Sequence, residues 1–273
     1  YADTDGVGQV DKADAGVFSV YGVPSTPGIL VQDNVLLIYP GTESFSGIYS
    51  TYAGFVGPQI AAYARGEDVE AMAADSTGIY WSSVKQNGVS RILRCKDCSV
   101  PTELSGTENS VRAYGIALDE TAVYFGAGDM LRRVDKIGTN LKTIAIGQSP
   151  RSLAVDSTHL YWINEAPFVF PGQDAGAPRG EVVRMTKDGG TPEKLLTGLQ
   201  NPLFLVATDK HLYVTDRGAA ENTASKSGTI IRIAKDGSQR IDIARDLTNL
   251  GGLAIDGTCV WFGAGPDIRK TAR

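Results

Sequence analysis

Histidine and cysteine are scarce in this chain, which has only two histidines, His159 and His211, and three cysteines among 273 residues. One copy of the chain therefore cannot assemble a zinc site with three imidazole ligands or one with four thiolates. The sequence also lacks a Gly-x-Ser-x-Gly nucleophile motif, a phosphate-binding glycine loop and a dinucleotide fingerprint. These absences exclude several common kinds of catalytic centre before any fold is considered.

Long apolar runs and an excess of basic residues are missing as well. No apolar segment approaches the roughly 20 residues that cross a bilayer, and 26 Lys and Arg against 31 Asp and Glu give a net charge of −5. The sequence therefore predicts no membrane span and no nucleic-acid partner. Hydrophobic residues at 42% are enough for a core, while 32 Gly and 12 Pro indicate unusually frequent turns.

A short signature recurs six times: an apolar run, an acid, a turn of two or three residues, and a second apolar run that is aromatic in all copies but the first. One copy runs from Leu153 to Asp156 and continues from Leu160 to Trp162. Each copy is typical of a β-hairpin, and Asp-Gly turns such as Asp188-Gly189 indicate a second hairpin after it. The six acids, 37–53 residues apart, are Asp33, Asp75, Asp119, Asp156, Asp209 and Asp256.

This period predicts an all-β fold, a six-bladed β-propeller of four-stranded antiparallel blades that forms a single domain over residues 1–273. The final repeat ends at Arg273 after its third strand, and residues 16–23 have the pattern of the missing fourth strand. We expect residues 16–23 to complete the last blade and close the ring, which would remove an open sheet edge. Residues 1–15 are expected to form a polar leader.

The aromatic strands carry a family resemblance. With Tyr80-Trp81, Tyr161-Trp162 and the string from Tyr213 to Asp216, the repeat resembles the YWTD-type repeat of six-bladed propellers. It is also similar to NHL-like and TolB-like propellers and to uncharacterised secreted propellers of myxobacteria, over about residues 17–273. The resemblance implies the fold, whereas propellers serve as binding scaffolds, lyases, lactonases and synthases alike.

Cys95 and Cys98 form a Cys-x-x-Cys motif between the third and fourth strands of the second blade. A redox dithiol would normally lie on a βαβ frame, and half of a zinc site would need a second ligand pair. The favoured interpretation is a local disulfide in an oxidising compartment, which resembles loops of the secreted myxobacterial propellers. It predicts a secreted, periplasmic or cell-surface protein. Cys259 is expected to be a buried free thiol.

The repeated acids and both histidines fall in the hairpin turns. An acid in such a turn normally accepts hydrogen bonds from backbone N–H groups of its own turn, so we expect a structural role for the six aspartates. His159 and His211 stand directly before Leu160 and Leu212, on the face away from a ligand, and a structural role is expected for them too.

Two long loops, residues 166–180 and 217–228, are predicted on the face that surrounds the channel mouth. Residues five positions before each acid are expected to start the innermost strands and border the channel. Alternatively, Glu70 and Arg151 pair and plug it. The predicted ligand-binding residues are Glu70, Tyr114, Arg151, Asn164, Phe168, Phe170, Phe204, Asp216 and Arg217.

Two functions remain open from the sequence. The first is a non-catalytic, monomeric propeller without a cofactor that binds a protein or a small polar ligand, because no nucleophile–base pair is evident. The second, implied by resemblance to gluconolactonase-type propellers, is a calcium-dependent lactonase or hydrolase with Ca²⁺ held by Glu70, Asn201 and Asn249. A lyase or synthase that acts without metal is a third class with no residue to mark it.

Overall fold

The computed structural model of the protein describes residues 8–9, 20–21, 28–32, 35–39, 48–52, 61–63, 68–84, 90–95, 101–106, 113–165, 180–218, 226–265 and 267–273. These residues form β-strands, turns and short connections. Every regular element among them is a strand, which confirms the predicted all-β class. Within the same residues no helix is long and apolar enough to cross a membrane.

Most strands form antiparallel sheets, which we number 1 to 6 along the chain. Sheet 1 contains β3 (Gly28–Gln32), β4 (Val35–Tyr39), β5 (Ile48–Tyr52) and β6 (Ala61–Tyr63). Sheet 2 contains β7 (Asp68–Asp75), β8 (Gly78–Val84), β9 (Ser90–Cys95) and β10 (Thr102–Gly106). Sheet 3 contains β11 (Ile116–Leu118), β12 (Ala122–Ala127), β13 (Met130–Asp135) and β14 (Lys142–Ile146).

The C-terminal half of the chain continues the same pattern. Sheet 4 contains β15 (Pro150–Val155), β16 (His159–Glu165), β17 (Gly180–Thr186) and β18 (Glu193–Leu199). Sheet 5 contains β19 (Pro202–Ala207), β20 (His211–Asp216), β21 (Gly228–Ala234) and β22 (Ile241–Leu247). Sheet 6 contains β23 (Leu250–Ile255), β24 (Cys259–Ala264) and β25 (Asp267–Ala272).

In every sheet each strand pairs with the next strand in the sequence, so the sheets are built from consecutive hairpins. Five sheets have four strands, which confirms the predicted four-stranded unit, and sheet 6 has three among the described residues. The remaining strands, β1 (Gly8–Gln9) and β2 (Val20–Tyr21), pair with each other. The count of six blades and the closure of the ring by residues 16–23 therefore stay predictions.

The core lies between neighbouring sheets. The first strand of each sheet contacts the first strand of the next, from β3 and β7 to β19 and β23. Because side chains alternate along a strand, Tyr161 packs with residues of sheet 5 and Trp162 packs with residues of sheet 3. Both side chains are buried. The YWTD-like dipeptide is thus the pair of aromatic residues that fills the spaces on the two sides of one sheet.

Candidate functional site

A β-bulge interrupts most of the first strands. In β15 the register shifts between Arg151 and Leu153, and Ser152 adopts a positive φ of 43°. The Ser152 hydroxyl accepts a hydrogen bond at 2.8 Å from the backbone N–H of Leu205 in sheet 5. A bulge changes the direction of neighbouring side chains, and this one lies directly beside Arg151.

The position equivalent to Ser152 in sheet 3 is a glycine, Gly115. Gly115, which precedes β11, has a φ of +69°, and a Cβ there would lie 2.6 Å from Leu153 Cδ1 and 2.8 Å from Ser152 N. Glycine adopts this φ without strain, and a side chain at this position would clash with the backbone of sheet 4. Gly115 thereby fixes the backbone next to Tyr114.

Arg151, Tyr114 and Glu165 form a polar cluster where β15 begins and β16 ends. The Arg151 guanidinium carbon lies 4.4 Å from the centroid of the Tyr114 ring, and its Nε pairs with Glu165 Oε2. The Arg151 and Glu165 side chains are 39% and 36% exposed, so both are open to solvent. A guanidinium that stacks on an aromatic ring while its charge faces a carboxylate is a common arrangement for polar recognition. The ion pair observed for Arg151 is with Glu165.

Asp216 and Arg217 occupy the corresponding end of β20 in sheet 5. The buried Asp216 carboxylate accepts backbone N–H bonds from Gln200, Asn201 and Gly218 at 3.0, 2.7 and 3.1 Å. The bonds from Gln200 and Asn201 hold the turn before β19, and the bond from Gly218 holds the chain just after β20. Arg217 donates from Nε to the Leu250 carbonyl of sheet 6 at 2.9 Å, and burial lowers the pKa of its guanidinium.

Asn164 has the same place in sheet 4 as Asp216 has in sheet 5. Its Oδ1 accepts the N–H of Ser149 at 2.5 Å, and its Nδ2 donates to Glu181 Oε1 at 3.2 Å. Both residues therefore support the turn between two sheets, and their predicted contact with a ligand remains untested.

The other predicted site residues do not join this cluster through any contact that the structure describes. Glu70 lies half-buried on β7 and Phe204 lies half-buried on β19. Asn201 and Asn249 lie in the turns that precede β19 and β23. Phe168, Phe170 and most of loops 166–180 and 217–228 fall outside the described residues.

At the opposite end of the first strands, the turn acids of sheets 2, 3, 4 and 6 bind their own turns. Asp119 Oδ1 accepts the N–H groups of Thr121 and Ala122, both at 2.8 Å. Its Oδ2 accepts the hydroxyl of Tyr124 at 2.9 Å and the ammonium of Lys187 in sheet 4 at 3.0 Å. Burial alone would raise the pKa of Asp119, but these hydrogen bonds and the ammonium outweigh burial, so its pKa is lowered.

The same arrangement recurs along the chain, which confirms the structural role predicted for these acids. In sheet 4, Asp156 Oδ2 accepts Tyr161 Oη at 2.9 Å and Lys235 Nζ of sheet 5 at 2.7 Å. Asp75 pairs with Lys136 of sheet 3. Asp256 accepts two backbone N–H groups and the Trp261 indole N–H at 2.6 Å. Asp33 lies outside the described residues.

In sheet 5 the predicted acid was wrong by one residue. Thr208, not Asp209, has the backbone position of Asp156, because Thr208 N donates to His211 O just as Asp156 N donates to His159 O. The residue that corresponds to Arg151 on β19 is consequently Leu203 and not Phe204.

Both histidines lie in the turns where they were predicted. His159 begins β16 with its Nδ1 2.7 Å from Thr158 Oγ1, and His211 begins β20. Across the described ranges no three His, Cys, Asp or Glu side chains lie close enough together to hold a metal ion.

Cys95 is buried at the end of β9, and Cys98 lies outside the described residues, so the disulfide stays a prediction. Cys259 is a free thiol, as predicted, but it is only half-buried.

The sheets and their packing define the class of protein. Consecutive four-stranded antiparallel sheets that pack face to face through their first strands are the blades of a β-propeller. Solved structures of the same class are similar to this chain.

One is a catalytically inactive variant of virginiamycin B lyase from Staphylococcus aureus with quinupristin, 17% identical over 98% of this chain and 88% of that chain, with a TM-score of 0.71. The nidogen/laminin complex is similar at 16% identity over 88% and 86%, with a TM-score of 0.61. A TolB from Agrobacterium tumefaciens, itself named putative, matches at 13% identity over 89% and 87%, with a TM-score of 0.60. At these identities the likeness shows the fold, and it does not support the resemblance to myxobacterial propellers.

No protein-family model matches the chain, and none of the curated proteins does.

Proposed function

We propose that this protein is a non-catalytic, six-bladed propeller that binds a protein or a small polar ligand on the face carrying loops 166–180 and 217–228. The observation that carries the proposal is the solvent-open cluster of Arg151, Tyr114 and Glu165 where β15 begins. The cluster combines an aromatic ring with both charge signs, a composition that suits polar recognition. Its polar groups are not needed to fill the spaces between sheets, unlike the buried aromatic residues of β16.

The similar structures support the propeller fold of the proposal and favour neither binding nor catalysis. One of them is a complex between nidogen and laminin, and another is a lyase that was made catalytically inactive. The predicted Cys95–Cys98 disulfide supports a place at the cell envelope or exterior, where such bonds persist. Closure of the ring by residues 16–23 and a monomeric state belong to the same proposal.

A thermal-shift panel of sugars, lactones, amino acids and short peptides tests the proposal. We expect at least one compound to raise the melting temperature of the native protein, and Arg151→Gln to abolish that rise. Arg240→Gln is the matched control, because Arg240 also pairs with a carboxylate, Asp242 Oδ1 at 3.1 Å, but lies just before β22, the fourth strand of sheet 5. A stabilising compound that acts equally on Arg151→Gln would place binding elsewhere.

The calcium-dependent lactonase is tested on the same preparation. Elemental analysis that finds one calcium per chain, lost in Glu70→Ala, together with hydrolysis of a lactone from the panel, would replace the binding function by the enzymatic one.

A further inference from the structure

The turn after β19 differs from its counterparts by one missing carboxylate. Its backbone is the same, since Thr208 N donates to His211 O at 2.9 Å as Asp156 N donates to His159 O at 2.9 Å. The Thr208 hydroxyl replaces only part of the aspartate, because it accepts one N–H group, that of His211, at 3.2 Å. Nothing in Thr208 corresponds to the second carboxylate oxygen, which in sheets 3 and 4 accepts a tyrosine hydroxyl.

The tyrosine that would donate a hydrogen bond to this oxygen is present in sheet 5. Tyr213 is fully buried, and its hydroxyl has no hydrogen-bond partner among the described residues. In sheets 3 and 4 the equivalent hydroxyls of Tyr124 and Tyr161 each lie 2.9 Å from a carboxylate oxygen. A buried donor that is left without an acceptor is unfavourable, so the position of the Tyr213 hydroxyl calls for an acceptor that the described chain does not provide.

Positive charge is retained at the same place. Arg232 lies opposite Tyr213 in the ladder of β20 and β21. Arg273 of sheet 6 has the backbone position of Lys187, since its N–H donates to Thr258 O as that of Lys187 donates to Thr158 O. Burial lowers the pKa of His211, and the charges of Arg232, Arg273 and Lys210 lower it further, which agrees with the backbone positions of the two arginines.

The acids that neutralise such cations in sheet 4 are absent in sheet 5. Arg184 pairs with Glu193 at 2.5 Å, whereas the residue opposite Arg232 is Ile241. Asp209, the acid within the turn, is exposed and forms no ion pair within the described part of the chain. The turn after β19 therefore keeps the donors and the cations of its counterparts but lacks their anion.

We propose that the Tyr213 hydroxyl, together with Arg232 and Arg273, forms a binding site for a small anion, a carboxylate or a halide ion, in the position that a turn aspartate occupies in sheets 3 and 4. The bound anion accepts the Tyr213 hydroxyl and balances the neighbouring guanidinium groups. The site lies at the opposite end of β19 from Arg217, so it is independent of the ligand face proposed above.

Bromide is the probe for this site, because its anomalous scattering locates it in a crystal. We expect an anomalous peak within hydrogen-bond distance of Tyr213 Oη, and a melting temperature that rises by about 2–4 °C as bromide is added at constant ionic strength. Thr208→Asp supplies the carboxylate internally, so it should raise the melting temperature and remove the bromide dependence. Tyr213→Phe should remove the dependence as well.

Tyr124→Phe is the matched control, because Asp119 already accepts its hydroxyl and the bromide dependence should stay as in the native protein. Formate added to the bromide crystals separates the two kinds of anion: loss of the peak assigns the site to carboxylates and halides, and a persistent peak assigns it to halides. A Tyr213 hydroxyl bonded only to water, or equal bromide dependence in native protein, Thr208→Asp and Tyr213→Phe, would overturn the proposal.

Discussion

Lys187 Nζ in sheet 4 lies 3.0 Å from Asp119 Oδ2 in sheet 3, so a turn of one sheet is bound to a turn of the preceding sheet. The Asp119 side chain is only 11% exposed and also accepts backbone N–H groups, which distinguishes the pair from an ordinary surface ion pair. The same relationship joins Lys235 to Asp156 and Lys136 to Asp75.

A double-mutant cycle on Asp119→Asn and Lys187→Met should show that the two residues stabilise each other. We expect a coupling free energy of about 0.5–3 kcal/mol, the range found for groups in one hydrogen-bonded network. The measurement is urea unfolding of the native protein, both single variants and the double variant. The control cycle is on Arg240 and Asp242, whose arginine is 47% exposed and whose coupling should be about 0.2–1 kcal/mol. Equal coupling in the two cycles would contradict the special role of the turn pair.

Acid should weaken the native protein through the same carboxylates. The pKa of Asp119 and of Asp156 is lowered on folding from an ordinary value of 3.8, although burial opposes this, because N–H groups and lysines bind the charged form. A carboxyl with a lowered folded-state pKa stabilises fully above its unfolded-state pKa, and this stability is lost as the pH falls through the folded-state value. We therefore expect the free energy of unfolding to fall as the pH is lowered below about 4.

Variants assign that loss to the turn acids. Asp119→Asn should be less stable at pH 7 and should lose less stability between pH 5 and pH 3, since the titrating group has been removed. Glu120→Gln, which changes the exposed acid next to it, should follow the native pH profile. Parallel profiles for native protein and Asp119→Asn would show that other groups govern acid unfolding.

Truncation of Trp162, which faces sheet 3 from sheet 4, should strongly destabilise the protein. Trp162 is completely buried between sheets 3 and 4, so Trp162→Ala is expected to reduce the free energy of unfolding by about 3–5 kcal/mol. Ile146→Ala, at a strand residue that is 71% exposed, should change it by less than about 0.5 kcal/mol. Chemical denaturation of both variants checks the difference.

The predicted disulfide should appear in a thiol count. Unfolded but unreduced protein is expected to show one reactive thiol, that of Cys259, and three after reduction. Two additional thiols at Cys95 and Cys98 before reduction would exclude the disulfide and remove the main support for an oxidising compartment.

The hairpins and their aromatic pairs were predictable because local signals specify them: alternating apolar residues, Asp-Gly turns and a recurring acid. The error at Asp209 shows which of these signals is stronger. The acid precedes its aromatic residue by five positions at Asp119, Asp156 and Asp256, but Asp209 precedes Tyr213 by four. A constant spacing of five residues before the aromatic residue would have selected Thr208. The backbone of the turn, and not the acid, fixes the register of the two strands.

Contacts between sheets were not predictable in the same way. The pairing of Arg151 with Glu165 depends on the bulge at Ser152, whose positive φ is not indicated by its residue type. The lysines before the Asp-Gly turns were visible in the sequence, yet their partners lie 68 and 79 residues away on another sheet. Which lysine meets which acid depends on the rotation between neighbouring sheets, and the repeat period alone does not give that rotation.

The three lysine–aspartate pairs all run in one direction, from sheets 3, 4 and 5 back to the sheet before each of them. Each pair is a head-to-tail contact, because it joins two different surfaces of neighbouring sheets. Such a contact can be repeated from sheet to sheet, and a series of sheets joined in this way leaves one acid unpaired at one end and one cation unpaired at the other. The pairs therefore give the series of sheets a direction, while the angle between neighbouring sheets determines how many sheets a closed ring would hold. Because these three pairs join the same two positions of the repeat, a whole sheet could be added or removed among sheets 2 to 5 with the same pairing kept at each junction between them.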